Sequence, residues 1–412
     1  MKHVETVLFV TYGGGHVGMI LPVIEALKTQ APALTCVLLA LTTGYAKAVA
    51  AGVSPLGYKD LLYLVDVDAA MHWGRRLLIG NSNPDVSEEE SIAYLGINYL
   101  DLITQHGEDG AAAVYAKEGR YGFRPLNFMR QLLDEIQPDV VVATNSPRSE
   151  RAALDVAIQL GIPTVGLVDL FGQEDDTYVH QIAKPDWTCV ISESVKQRLV
   201  GHGFHPKSIA VTGNPAFDGL FSPLTQAVAQ AFVKHRGWQW LAPILWAGQI
   251  DSTSDTTSEK KDGHKFAENV ETTLRDFISS RKDLALVIRY HPSQWHTFHR
   301  LPDQERVHFS VPSQEPIHPL ILAAKAVVVQ NSTVGLESAV AGKPVVSLEH
   351  SLAVQSSFSL AAMGVSTPCY STTELPAMLD KVLSEHTIMP AQFTSDGRAA
   401  ERVASVITGA LR

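Results

Sequence analysis

Cysteine is scarce in this chain. The three residues, Cys36, Cys189 and Cys369, stand far apart and in no ligand-like spacing. That excludes a disulfide framework and a paired-cysteine zinc site, and it fits a reducing compartment. An excess of positive charge is missing too. Lys and Arg number 33 against 43 Asp and Glu, a formal net charge of -10, so no general field exists for a nucleic-acid backbone. A local pocket for one diphosphate is compatible with that balance, because net charge does not describe a single site. Long apolar runs are lacking as well. The most apolar stretch, residues 34–53, is broken by Thr42, Thr43, Gly44, Tyr45 and Lys47, and reads as strand, turn and short helix rather than a membrane span. The first ten residues enter a strand pattern without a signal-peptide layout. The expected location is therefore cytoplasmic.

What is present is globular. Of the 412 residues, 45% are hydrophobic and 18% charged, enough for about two domains with separate cores. Strand patterns alternate with helix patterns throughout, as in parallel α/β domains. The spacing predicts strands at Thr6–Val10, Cys36–Leu41, Val140–Ala143, Thr164–Val168, Thr188–Ile191 and Ile209–Val211, with helices over Val17–Thr29, Pro125–Ile136 and Ser149–Leu160. Residues from about 66 to 122 break this alternation and are expected to form an insertion beside a cleft. After a boundary between Gly213 and Gly237 the same grammar restarts. Strands are expected at Pro243–Ala247, Leu284–Arg289, Arg306–Ser310, Ala326–Val329 and Val345–Leu348, with a polar loop at Ile250–His264. The resulting division is 1–218 and 219–412, two Rossmann-like domains with a deep interdomain cleft, the last helix packing back on the first domain.

In open parallel sheets ligands bind beyond the carboxyl ends of the strands. Four places qualify. Gly13-Gly14-Gly15-His16 follows the first strand; the glycines let backbone approach a ligand, and free amides at the helix start favour an anion or a polar sugar. His16 is the candidate base. It occupies the place where a dinucleotide fingerprint has its third glycine, and no acid stands about 20 residues on, which excludes that fingerprint. Asn331-Ser332-Thr333-Val334-Gly335-Leu336-Glu337 offers hydroxyls at a helix start for phosphate, and a carboxylate one turn along for ribose hydroxyls. Arg289-Tyr290-His291-Pro292 and Gly248-Gln249 end two further strands and supply candidate contacts to a diphosphate or base. Asp169 follows another strand, close to Glu174-Asp175-Asp176, and would orient His16 or act as the base itself. Asn145-Ser146-Pro147-Arg148 is a comparable position. No histidine or third carboxylate is spaced to complete a metal sphere around Asp175 and Asp176, so no metal and no cofactor are expected.

This constellation resembles the GT-B superfamily, which includes nucleotide-sugar glycosyltransferases and UDP-N-acetylglucosamine 2-epimerases. Gly13–His16 with Pro22 is similar to the first-loop motif of lipid-linked N-acetylglucosaminyltransferases. Val211-Thr212-Gly213-Asn214-Pro215 with Asp218 resembles the interdomain segment of the epimerases, departing from it at Pro215 and Phe217. His291-Pro292 and Ser332–Glu337 resemble donor-site motifs shared by epimerases and bacterial capsule transferases. The resemblance implies that Ser332 and Thr333 hold phosphate, Glu337 the ribose and His291 the diphosphate, with Asn214 also at the substrate. On this basis the expected activity is metal-independent glycosyl transfer. The donor is a UDP- or CMP-sugar, and the acceptor a glycan, lipid or small molecule, with peripheral membrane association where that acceptor is lipid-linked. A UDP-N-acetylglucosamine 2-epimerase or UDP-sugar hydrolase is the alternative.

Overall fold

The structure, a computed structural model, describes residues 4–80, 86–172, 178–181, 183–251, 263–355, 358–385, 393 and 396–411. In the first strand, β1 (Thr6–Tyr12), Val7, Leu8, Phe9 and Val10 are all fully buried. Both faces are therefore covered, which is why the run is apolar without alternation. Helix α1 (Gly13–Gln30) follows directly and returns the chain to β2 (Thr35–Leu41), paired in parallel with β1 from Thr6↔Thr35 to Tyr12↔Leu41. The helices α2 (Thr43–Ala50), α3 (Val67–Leu78), α4 (Glu88–Glu118) and α5 (Leu126–Ile136) precede β3 (Val140–Thr144). That strand takes the other edge of β1, from Val7↔Val140 to Val10↔Ala143. Then α6 (Ser149–Leu160), β4 (Thr164–Leu167), β5 (Trp187–Val190), α7 (Glu193–Gly201) and β6 (Ile209–Val211) complete a six-stranded parallel sheet in the order β2-β1-β3-β4-β5-β6. The expected insertion consists of α3 packed along α4, which is kinked at Gly107.

A second parallel sheet is built by the same alternation. Helix α8 (Pro223–His235) leads to β7 (Ala242–Gly248), α9 (Gly263–Ser280), β8 (Leu284–Tyr290), β9 (Val307–Phe309), α10 (Ile317–Ala323) and β10 (Ala326–Val329). These are followed by α11 (Thr333–Val340), β11 (Val345–Leu348), α12 (Leu352–Gln355), β12 (Thr367–Cys369) and α13 (Leu375–Ser384). Strand order is β12-β11-β10-β7-β8-β9. The edge strand β12 has no apolar run to announce it. Its Pro368 is tolerated because an edge strand pairs on one side only. Two Rossmann-like domains are thus present, and among the described residues no helix is long and apolar enough to cross a membrane.

The chain divides into two compact units, Met1–Asp218 with Arg398–Arg412, and Gly219–Gly397. The last helix, α14 (Ala399–Ala410), belongs to the first unit. Its Ala400, Val403, Ala404 and Ile407 share one core with Val7 and Phe9 of β1 and with Val17, Ile20, Ile24 and Leu27 of α1. Asp218 fixes where that helix starts: its two carboxylate oxygens accept the N–H groups of Ala399 and Ala400 at 3.0 and 2.8 Å. A carboxylate at a helix start satisfies orphan amides and complements the dipole. Asp218→Ala is expected to lower the stability of the first unit by about 1–2 kcal/mol, read as a lower denaturant midpoint with unchanged slope. An unchanged midpoint would show that the cap carries no weight.

Candidate active site

Four strand ends of the first sheet meet around Asp169, two residues beyond β4. Its N–H donates to Asn145 Oδ1 at 3.2 Å, beyond the end of β3. Its carbonyl accepts from Asn214 Nδ2 at 2.9 Å, beyond β6, and Asn214 Oδ1 in turn accepts the Ala216 N–H at 2.9 Å. With both backbone groups tied, the carboxylate is held toward the first turn of α1, where Asp169 Oδ2 stands 3.7 Å from His16 Nε2. That separation is longer than a hydrogen bond. It is a charge contact that strengthens when the imidazole is protonated. The two side chains are 24% and 28% exposed, so each can meet a ligand.

The glycine turn is placed as its composition requires. Gly13 has φ +57°, a region that a side chain disfavours. Nothing lies within 4 Å of where a Cβ would stand on Gly13 or Gly15. Gly14 belongs to the same first turn of α1, and Tyr12 before it makes no side-chain cap. The helix start is therefore open and offers uncapped amides. Arg148 flanks this edge, its guanidinium carbon 4.2 Å from the Tyr12 ring centre and its Nη1 donating to the Tyr94 hydroxyl at 3.4 Å.

In the second sheet the corresponding edge is a continuous polar network. At the end of β7, a Cβ on Gly248 would stand 2.7 Å from the Trp246 ring, so only glycine fits. Gln249 donates its N–H to Gln330 Oε1 at 3.0 Å and its Nε2 to Asn331 Oδ1 at 2.6 Å. Asn331 Nδ2 donates to the Ala353 carbonyl at 3.0 Å. Behind them the buried Asp251 accepts from Ser351 Oγ, Leu352 N and Ala353 N at 2.7, 3.1 and 2.7 Å. Ser332 caps α11 by accepting the Val334 N–H at 3.3 Å, while Thr333 is exposed beside it. One turn on, Glu337 Oε2 lies 3.1 Å from His318 Nε2 of α10, which leaves Oε1 for another partner. His291 and Pro292 are exposed at the end of β8. The Ser293 N–H points at His291 Nδ1 at 3.3 Å, which makes that nitrogen the acceptor and leaves Nε2 as an outward donor. Arg289 is placed otherwise. Its guanidinium is buried and donates to Ser310 Oγ at 2.8 Å and the Glu315 carbonyl at 2.7 Å, so it ties β8 to the 310–315 turn and does not reach the rim.

The family model for UDP-N-acetylglucosamine 2-epimerase matches residues 124–408, more than half of the chain. The chain belongs to the UDP-N-acetylglucosamine 2-epimerase family. Solved structures agree on the fold. The UDP-GlcNAc 2-epimerase of Neisseria meningitidis, bound to UDP-GlcNAc, superposes with a TM-score of 0.60 at 13% identity, over 98% of this chain and 100% of that one. The enzyme of Methanocaldococcus jannaschii, in complex with UDP-GlcNAc and UDP, gives 0.58 at 13% identity, over 98% and 100%. Among proteins of curated function, none matches the chain by sequence.

Membership in the epimerase family corrects the expectation of a glycosyltransferase. That expectation leaned on Gly13–His16, which lies before residue 124 and so outside the matched segment. The strand-end motifs from Asn145 to Glu337 all lie within it. The acidic cluster Glu174-Asp175-Asp176 and most of the 250–264 loop fall outside the described residues. Among the described residues no three His, Cys, Asp or Glu side chains converge as a metal ligand set.

Sequence reasoning missed Asp251, His318 and Glu150. His318 and Glu337 are 19 residues apart on different helices, so no local period links them. Asp251 carried a signal only in its place, three residues after a buried strand. Asp251→Ala is expected to cost about 2–4 kcal/mol, because two backbone amides and a buried hydroxyl lose their acceptor together. The loss should appear in the second unit's hydrogen exchange at residues 351–355, and normal protection there would refute it.

Proposed function

We propose that the protein epimerises UDP-N-acetylglucosamine, or a close UDP-N-acetylhexosamine, at C2 of the sugar. The observation that carries this reading is the His16–Asp169 pair, held by Asn145 and Asn214 on the strand-end edge of a chain in the 2-epimerase family. Inverting one carbon requires groups that take a proton from it and return one to the other face. No carbonyl adjoins C2 in the sugar, so a bare carbanion there is inaccessible. Loss of the C2 proton must be coupled to cleavage of the C1–O bond, forming a C1=C2 double bond and free UDP. Return of a proton to the opposite face of C2, with C1–O bond formation, restores the UDP-sugar. Carbon undergoes no net oxidation, and the reaction calls for no acceptor.

In this reading Asp169, with His16 against it, exchanges the C2 proton. The uncapped amides of α1 and the Gly13–Gly15 turn take polar groups of the sugar. Taken by itself, the second unit carries groups suited to a nucleotide: Ser332, Thr333 and the first amides of α11 for a diphosphate, His291 Nε2 as a further donor, and Glu337 Oε1 for ribose hydroxyls. Gln249 and Asn331 brace that rim.

The test is incubation with UDP-N-acetylglucosamine alone in deuterated water, followed by NMR. Deuterium at C2 and a second UDP-N-acetylhexosamine are expected; unchanged substrate with protium at C2 would refute the reading, and free UDP without epimer would mean hydrolysis. Asp169→Asn should reduce turnover by roughly 100-fold or more while UDP affinity stays within about twofold. Glu337→Ala should show the converse, weakening UDP binding about tenfold through the lost ribose contact. Calorimetry and initial rates separate the two.

A further inference from the structure

Nine buried side-chain nitrogen or oxygen atoms lack a hydrogen-bond partner among the described residues, and six of them belong to Thr11, His16, Thr144, Arg148 and Glu150. Folded proteins satisfy nearly all such atoms, so a concentration at one place calls for a cause. These five residues share one edge of the first sheet. Thr11 is next to last in β1 and Thr144 ends β3; continuing the Val10↔Ala143 register by one residue sets them side by side. His16 is in the first turn of α1, and Arg148 and Glu150 span the turn into α6.

Glu150 is the sharpest case. It is fully buried and both carboxyl oxygens are unpartnered. Its own backbone N–H and the Ser146 and Thr144 hydroxyls stand near without reaching hydrogen-bond geometry. Burial pushes its pKa up to about 7. The charged and titratable groups around it are Arg148 from the turn, Tyr58 from the segment before residue 59 and Tyr94 from α4. Tyr58 is occupied by Ser149, hydroxyl to hydroxyl at 2.8 Å. Arg148 lies on the Tyr12 ring and reaches Tyr94, with its Nε unpartnered, although a carboxyl stands two residues along. An acid and a guanidinium so placed, and not paired, have the geometry of a neutral carboxyl. An ionised one would draw the guanidinium strongly in such surroundings.

We propose that Glu150 is a positioning residue for the Asp169 edge: while its carboxyl is neutral the Arg148 guanidinium rests on Tyr12, and when it ionises the guanidinium moves onto it and carries the 145–148 turn, with Asn145, away from the Asp169 amide. The inference rests on the epimerase reading of the His16–Asp169 pair. It adds a residue that touches no substrate and acts through the turn. Its sign is fixed by linkage. A carboxyl whose pKa is raised on folding stabilises the fold fully below its unfolded value and loses that contribution as pH rises through about 7.

Glu150→Gln keeps the shape and cannot ionise. Conversion of UDP-N-acetylglucosamine is measured across pH for the wild type, Glu150→Gln and Arg148→Met, together with melting temperatures near pH 5 and pH 8. The wild type is expected to lose kcat through a falling limb near pH 7 with KM within about twofold. Both variants should lack that limb, Arg148→Met because the group that moves is gone. Glu150→Gln should melt with the wild type near pH 5 and several degrees above it near pH 8. A limb retained in Glu150→Gln overturns the proposal; if that variant does not fold, a limb retained in Arg148→Met does so. A wild type inert toward UDP-N-acetylglucosamine overturns the epimerase reading instead, and equal melting temperatures near pH 8 then overturn the part assigned to Glu150.

Discussion

Strands buried on both faces leave polar side chains almost nowhere to go but the strand ends, and the functional geometry of this protein follows from that constraint. Val7 to Val10 of β1 and Ile244 to Trp246 of β7 are covered above and below by helices. A polar group within such a run would be desolvated, at a cost that only a hydrogen-bond partner offsets. Usable side chains therefore collect where each strand emerges from the sheet. Asp169, Asn145 and Asn214 stand beyond three different strands, and His16 opens the helix after a fourth. They meet because the parallel sheet brings those ends to one edge, and because the asparagines hold both backbone groups of Asp169.

The two units use that edge differently. In the second, amides and carboxamides are paired with one another into a braced rim. Gln249, Gln330, Asn331, Ser351 and Asp251 form one run of hydrogen bonds from β7 to α12. Such a run suits a rigid binding surface, since every member is oriented before a ligand arrives. In the first unit the same edge is under-satisfied, with buried hydroxyls, an imidazole nitrogen and a carboxyl lacking partners. Groups of that kind are not committed to internal bonds, in contrast to the paired rim of the second unit.

The family assignment shows how a shared scaffold misleads when one loop is weighted too heavily. The Gly13–His16 turn is compatible with transferases and with epimerases, because glycine there answers a backbone need, φ +57° at Gly13, before it answers any chemical one. The family match rests on residues 124–408 as a whole and leaves that turn out. Arg289 teaches the same lesson in reverse: its position at a strand end suggested a ligand, yet its guanidinium is spent on the 310–315 turn.

Among the described residues, the alternation of apolar runs and amphipathic segments determined eleven of the twelve strands to within two residues, because burial on two faces writes itself into local composition. Tertiary structure alone decided the rest. The edge strand Thr367–Cys369 has no pattern of its own and exists through its neighbour, and α14 joins the first unit through Asp218 across some 180 residues. His318 meets Glu337, and Glu150 remains unpaired beside Arg148, because elements distant in the chain come together there. A partner supplied through space leaves no period in the sequence from which to read it.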